Sequence, residues 1–263
     1  MKIEEEYKKG NVLVLGFEDT NLLHRLNKDY NALFGVSFDS KAVQNAYEEG
    51  FQNVFNYNIT NIKNLFSDNL FDTIILDHAI HKVFTLNQNQ GFKKSPINGG
   101  KKVVLMMSQV WDILHENGIL IIEDTLKPST AFRYDTISYE IDDDFEDFLN
   151  DMENIKLSAE DKNKRTMSLL DFLLLSERYL NKNPNEEYFP FDIQELEYYL
   201  SMIGFQTLEV NAFVEDKTID FANKISFFNL SHENILPNTL YQLKLRKKWV
   251  SYQLTCSFLF FMV

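Results

Sequence analysis

Two apolar runs in the chain each end in acid, the first with imidazole beside it. FDTIIL at 71–76 leads into Asp77, His78 and, three residues on, His81; GILII at 118–122 leads into Glu123 and Asp124. His is suited to general-base work near neutral pH, so His78 and His81 are the candidate catalytic residues. Asp77, Glu123 and Asp124 form a candidate oxygen-ligand set for a hard divalent cation such as Mg2+. Alternation limits that set: on an extended chain Glu123 and Asp124 point to opposite sides, so at most one joins Asp77 directly. A plainer reading stands beside each: His78 and His81 can cap or pack under the next helix, and Glu123 and Asp124 can be a solvated strand end.

The elements that must carry these residues read as alternating strands and helices. NVLVLG at 11–16, ALFGV at 32–36, VFNY at 54–57, the 71–76 run and the 118–122 run have the continuous apolar character of strands buried on both faces. Between them Leu22, Leu23 and Leu26 recur at helical spacing, Ser40 can cap a helix that Gly50 stops, and 103–114 reads as a helix. This rhythm means βαβ units with right-handed crossovers and helices on both faces of a parallel sheet. Ligands of such a sheet bind beyond the carboxyl ends of its strands, where Asp39, Asp77, His78, Glu123 and Asp124 collect. After Lys127 the rhythm stops. A helix is expected around 166–179 and another at 192–203, closed by Gly204; strand signals return at 207–210 and 224–228.

Composition narrows the function classes. A net charge of −13 on 263 residues disfavours a phosphate backbone, so no nucleic acid is expected as partner. Much of the acid lies in IDDDFED at 141–147, which reads as a solvated helix face. Cys256 is the lone cysteine, which excludes an intramolecular disulfide and a cysteine-cluster zinc site. The acidic amino terminus has no signal-peptide pattern and no run reaches membrane-span length, so a cytoplasmic protein is expected. FKKSPINGGKK at 92–102 reads as a lysine-bearing mobile loop.

At these residues the chain resembles the class I S-adenosylmethionine-dependent methyltransferases, especially their small-molecule branch, over about residues 10–230. VLVLGFEDT at 12–20 is similar to that family's V-L-D-L-G-x-G-x-G turn, and FGVSFD at 34–39 to its second strand. FDTIILDHAIH at 71–81, WDILHENGILII at 111–122, and YFPF at 188–191 followed by Leu196, Gly204 and Phe205 resemble later family segments in the right order. The resemblance implies an α/β, doubly wound Rossmann-like methyltransferase sheet, mostly parallel with an antiparallel edge strand. A helical cap is inserted after strand five. It implies S-adenosylmethionine as cofactor, a small-molecule acceptor methylated on oxygen or nitrogen, and a cofactor site drawn from Gly16, Glu18, Ser37, Asp39, Asn58 and Asp77. IIEDT at 121–125 also resembles a stretch of metal-dependent sugar and macrolide O-methyltransferases.

The departures lie in the same residues. Of the loop glycines only Gly16 is kept; Glu18 and Thr20 hold the other two positions. Ser37 replaces the ribose-binding acid, with Asp39 two residues on as a substitute, and Asn58 stands at the adenine-contacting position. Two readings follow: a remodelled site that binds cofactor, or a catalytically inactive methyltransferase-like subunit or binding module. The chain divides into a Rossmann-like cofactor-binding half at 1–127, a helical cap at 128–187, a completion of the sheet at 188–230 and a tail at 231–263. Phe132, Tyr134, Phe172 and Tyr179 of the cap suit an apolar or aromatic acceptor, or simply pack it. The tail, LKLRKKW at 243–249 then SFLFFMV at 257–263, offers membrane-surface contact, burial against the sheet, or burial in a homo- or hetero-oligomer interface.

Overall fold

Strand β1 (Asn11–Leu15) is buried along almost its whole length, as its unbroken apolar sequence requires. It lies inside a seven-stranded sheet seen in a computed structural model that describes residues 10–27, 32–88, 96–128, 132, 135–152, 158–161, 164–230 and 236–248. Helix α1 (Asn21–Leu26) leads to β2 (Ala32–Ser37), α2 (Ser40–Glu48), β3 (Val54–Asn56), a 3-10 helix (Ile59–Asn64) and β4 (Phe71–Asp77). Then come α3 (Ala79–Gln88), α4 (Pro96–Ile113) and β5 (Leu114–Thr125). The N-cap of α2 is Asp39, not Ser40: its carboxylate accepts the Lys41 amide at 2.8 Å.

The insertion follows: β6 (Thr136–Glu140), α5 (Asp143–Asp151), β7 (Ser158–Asp161), β8 (Lys164–Ser168) and α6 (Leu169–Leu180). The chain returns through α7 (Ile193–Ile203), β9 (Phe205–Phe213), α8 (Asp216–Lys224), β10 (Phe228–Asn229) and β11 (Leu240–Lys247). The large sheet has the order β3-β2-β1-β4-β5-β11-β9. Strands β1 to β5 pair in parallel, and β11 runs antiparallel to both β5 and β9, so the antiparallel pairing sits at that edge.

Alternation along the strands sorts the core into two layers. Leu13, Leu15, Ile74, Leu76, Leu120 and Ile122 pack with Val83, Phe84, Val103, Met106, Leu196 and Leu200 of α3, α4 and α7. Val12, Val14, Ile75, Ile119 and Ile121 pack with Leu22, Leu23, Leu26, Ala42 and Val43 of α1 and α2. The same parity carries on past the apolar runs. Asp77 and Glu123 continue the α1 side, whereas Asp124 continues the α3 side.

Several expectations change. The insertion has helices α5 and α6, and also a four-stranded antiparallel sheet, β10-β6-β8-β7; residues 166–168 of the expected helix at 166–179 belong to strand β8. The cap core extends beyond residue 187, because Tyr188, Phe189, Phe221 and Ile225 pack with Tyr139, Phe145 and Phe172. Of the strand expected at 224–228 only Phe228 is extended, as the start of β10; Lys224 ends α8 and Ile225 caps it. Residues 96–102 belong to α4 rather than to a loop, and 89–95 lie outside the described residues. In the acidic run Asp143, Asp144 and Asp147 are exposed, but Glu146 is buried, accepting from Tyr139 Oη at 3.1 Å and Arg165 Nε at 3.2 Å.

The largest correction concerns the stretch taken as tail. Its residues 240–247 form β11 inside the sheet, where Leu243 and Leu245 are fully buried. Lys247 turns inward as well, donating to Leu114 O at 2.7 Å and Asn69 Oδ1 at 3.0 Å over the Trp111 ring. Residues 249–263, with Cys256 and the apolar 257–263 segment, lie outside the described residues. Among the described residues no helix is long and apolar enough to cross a membrane.

Candidate functional site

The strand order reverses direction between β1 and β4, and the turn after β1 begins at Gly16 with φ of 95°. A Cβ there would stand 2.6 Å from the Asp77 carbonyl, so only glycine lets the two strand ends approach this closely. Beside the turn, at the carboxyl ends of the strands, lies a cleft of about 710 Å³ lined by Gly16, Glu18, Asp77, His78, Lys82 and Glu123, with α1 forming its other wall.

Lys82 has no counterpart among the expected site residues. It stands one helical turn after His78, and its Nζ reaches Gly16 O at 3.1 Å and Glu18 Oε1 at 2.9 Å. Burial works to raise the Glu18 carboxyl, but Lys82 outweighs it and holds the group below the ordinary carboxylate range.

Asp77 and Glu123 are partners in the β4–β5 register, and ligand atoms of Asp77, His78 and Glu123 lie within 4.8 Å of one another. Burial pushes both carboxyls up, partly offset by His78 beside them; their mutual repulsion adds to the rise at Glu123. His78 has φ of 50°, and its amide donates to Glu123 O at 2.8 Å, which fixes the turn from β4 into α3. Gln242, brought in by β11, donates from Nε2 to Glu123 Oε2 at 3.1 Å; this buried residue was hidden in the presumed tail.

Asp124 stands apart from this cluster. It is buried and accepts from Ile80 N at 2.7 Å, Thr125 N at 2.8 Å and His81 Nδ1 at 2.5 Å. His81 is likewise buried and faces Asp124 and Glu186 rather than the cleft. Among the described residues two groups bring three ligand atoms within 4.8 Å of one another: Asp77, His78 and Glu123 at the cleft, and His78, His81 and Asp124 toward the interior. Asp124 already spends its oxygens on α3 and His81.

The residues expected at the nucleoside end are engaged locally. Ser37 Oγ donates to Phe17 O at 2.7 Å and accepts from Asp39 N at 3.1 Å. Asp39 is exposed and caps α2. Asn58 Oδ1 caps the 3-10 helix through Thr60 N at 3.0 Å and Thr60 Oγ1 at 2.8 Å. In the cap, Phe132, Phe172 and Tyr179 pack into the cap core, and Tyr134 lies outside the described residues.

No protein-family model matches the chain, and no curated protein matches it in sequence. Solved structures do match. An S-adenosylmethionine-dependent methyltransferase from Methanosarcina mazei aligns over 91 % of this chain and 93 % of its own, with TM-score 0.51 and 14 % identity. One from Archaeoglobus fulgidus aligns over 92 % and 87 %, with TM-score 0.52 and 12 % identity. One from Mesorhizobium loti aligns over 90 % and 90 %, also with TM-score 0.52 and 12 % identity. At such identities the likeness speaks for architecture: the chain has the class I methyltransferase fold.

Proposed function

We propose that the chain is an S-adenosylmethionine-dependent methyltransferase acting on a small-molecule acceptor. The observation that carries this reading is the cleft at the β1/β4 reversal, where an open α/β sheet binds its ligand. The donor set fits the amino-acid end of the cofactor: Lys82 supplies a cation for a carboxylate, and Gly16 keeps the backbone close. The ribose end has Asp39 as its available acid, since Ser37 Oγ is committed to the Phe17 carbonyl.

When bound, S-adenosylmethionine supplies an electrophilic methyl group on a cationic sulfur. His78 lines the cleft and is the group to take the proton from a hydroxyl or amine acceptor; the proton passes to a ring nitrogen beside Asp77 and Glu123. His81 is buried between two carboxylates and does not line the cleft, which favours His78 for that role. A divalent cation is a further proposed ligand, held by Asp77, His78 and Glu123, where it would replace repulsion between the carboxyls by attraction.

A second reading rests on Glu18, whose ion pair with Lys82 occupies the turn that other sequences leave to glycine: a methyltransferase fold kept as a non-catalytic subunit. Calorimetry with S-adenosylmethionine and S-adenosylhomocysteine separates the two. Binding supports the enzyme reading; no heat and no thermal shift at millimolar ligand sinks it.

A further inference from the structure

Two strands end the large sheet, and they differ in how much they leave uncovered. β3 has three residues, whereas β9 has nine, and among the described residues no strand pairs with the outer edge of β9. A long edge of this kind is a template for a further strand, and β9 carries none of the lysine or proline that guards one. Its two faces differ. Val210 is the partner of Leu243, which packs in the layer of α7, so Val210 points to the α7 side. Gln206 and Glu209 are the partners of Arg246 and Lys244 and point to the other side. Leu208, at the bulge of β9, and Val210 are each 40 % exposed; Tyr198 and Met202, on the neighbouring helix α7, are 59 % and 45 % exposed. Large apolar side chains thus stand open on the α7 side of this edge.

The sequence that follows β11 has the pattern to cover it. Lys248 N donates to Gly204 O at 2.9 Å, which delivers the chain to the start of β9. Residues 249–263 come next, and none of them is charged. VSYQLTCSF at 250–258 alternates strictly between apolar and polar, the period of a strand with one face of each kind. Passing from β11 under β9 to its outer edge spans two strand spacings, about 10 Å, which about three residues bridge. Residues 252–260 then match the nine residues of β9 in length. We propose that residues 252–260 dock on the outer edge of β9 as an eighth strand of the large sheet, parallel to β9, with their apolar face toward α7 and their polar face beside Gln206 and Glu209. The direction follows from the connection: β11 runs antiparallel to β9 and ends at its start, so a segment turning back along the outer edge runs with β9. Charge favours this occupant over a second copy of the chain. Two copies at −13 each repel one another, whereas the uncharged segment adds no repulsion. None of these groups lines the cleft, so the proposal stands apart from the methyltransferase reading.

The lone cysteine makes the test direct, in the full-length protein without any ligand. Cys256 lies on the apolar face of the 250–258 pattern. In the native wild type it should react with N-ethylmaleimide at least about tenfold more slowly than in the urea-unfolded chain, because labelling must wait for the segment to open. Leu254→Asp, on the same face, should restore fast labelling, and Thr255→Asp, on the polar face, should leave it slow. A short bismaleimide should then join Cys256 to a second thiol placed by Val210→Cys or Leu208→Cys, within a single chain, as read by mass spectrometry of the peptides. Lys41→Cys, exposed on α2 near the opposite edge, should give no such link. Fast labelling of the native wild type overturns the proposal, as does equal labelling of Leu254→Asp and Thr255→Asp. A protected Cys256 that links to neither Val210→Cys nor Leu208→Cys overturns it too. A link between two chains overturns it in favour of a second copy at the edge. Protection that arises only with vesicles of phosphatidylcholine and phosphatidylglycerol overturns it in favour of a membrane surface. Two alternative sites for the second thiol keep the test decisive if one variant fails to fold.

Discussion

Gly16→Ala is the perturbation that most directly tests how the cleft is built. Its backbone sits at φ of 95°, which costs an L-residue about 1–2 kcal/mol. The new methyl would meet Asp77 O at 2.6 Å and the Ala79 Cβ at 2.9 Å, atoms of the β4–α3 turn that have no rotamer to yield. Such overpacking costs about 1–3 kcal/mol, giving a total near ~2–5 kcal/mol. For a chain of this size each kcal/mol lowers Tm by about 2–4 °C, so a fall of roughly 4–20 °C is expected. Gly50→Ala is the internal control: φ is 96°, but nothing lies within 4 Å of the added carbon. It should lose only the conformational part, about 1–2 kcal/mol. Thermal melts and urea midpoints of the two variants and the wild type measure the difference. If Gly16→Ala melts within about 1 °C of Gly50→Ala, the close approach of β1 to β4 is not the constraint described, and the argument for the cleft fails with it.

Asp39→Ala should cost about 1 kcal/mol of stability through the lost cap on α2, seen as a lower urea midpoint; a further loss of S-adenosylhomocysteine affinity in calorimetry is expected only if Asp39 also holds ribose. Lys82→Met should weaken that ligand about tenfold if Lys82 meets its carboxylate, the value of one charge-assisted hydrogen bond. Adding Glu18→Gln to Lys82→Met and recovering full affinity would mean that Lys82 only neutralises Glu18, refuting the contact. Added Mg2+ at about millimolar concentration should raise Tm, and Glu123→Gln should abolish the rise, whereas EDTA-insensitive, Mg2+-insensitive melting of the wild type removes the cation from the account.

The central sheet was legible because its strands are buried on both faces and so read as uninterrupted apolar runs. Strand β11 was not. Its sequence LYQLKLRK carries three cations and a glutamine, yet Lys247 is satisfied inside by Leu114 O, Asn69 and the Trp111 ring. Buried polar groups with partners found only after folding leave no mark in a hydropathy pattern. The cap misled for a related reason. Its strands are short and polar, and Lys164–Ser168 passes directly into α6 without a break, so period-based reading merged the two. Ser40 and Asp39 show the usual one-residue ambiguity of helix starts, decided only by which side chain meets the Lys41 amide.

At the site, sequence supplied the residue types and alternation supplied the geometry. Glu123 and Asp124 are neighbours with the same chemistry, and no composition argument separates them. Strand parity does. Ile121 packs toward α1 and Ile122 toward α3, so Glu123 follows the first into the cleft beside Asp77 and Asp124 follows the second into the interior under α3. Once there, the two carboxyls move in opposite directions. Burial, with Asp77 facing it, pushes the Glu123 carboxyl up. Asp124 meets the His81 ring and two amides of α3, which outweigh its burial and hold its carboxyl below the ordinary range. What could not be read was the third party in each case: Gln242 for Glu123 and Glu186 for the His81–Asp124 pair, each more than 60 residues away in sequence from the acid it joins. The pairing that turns two adjacent acids into one reactive and one structural group is thus set by strands and segments that only the folded chain brings together.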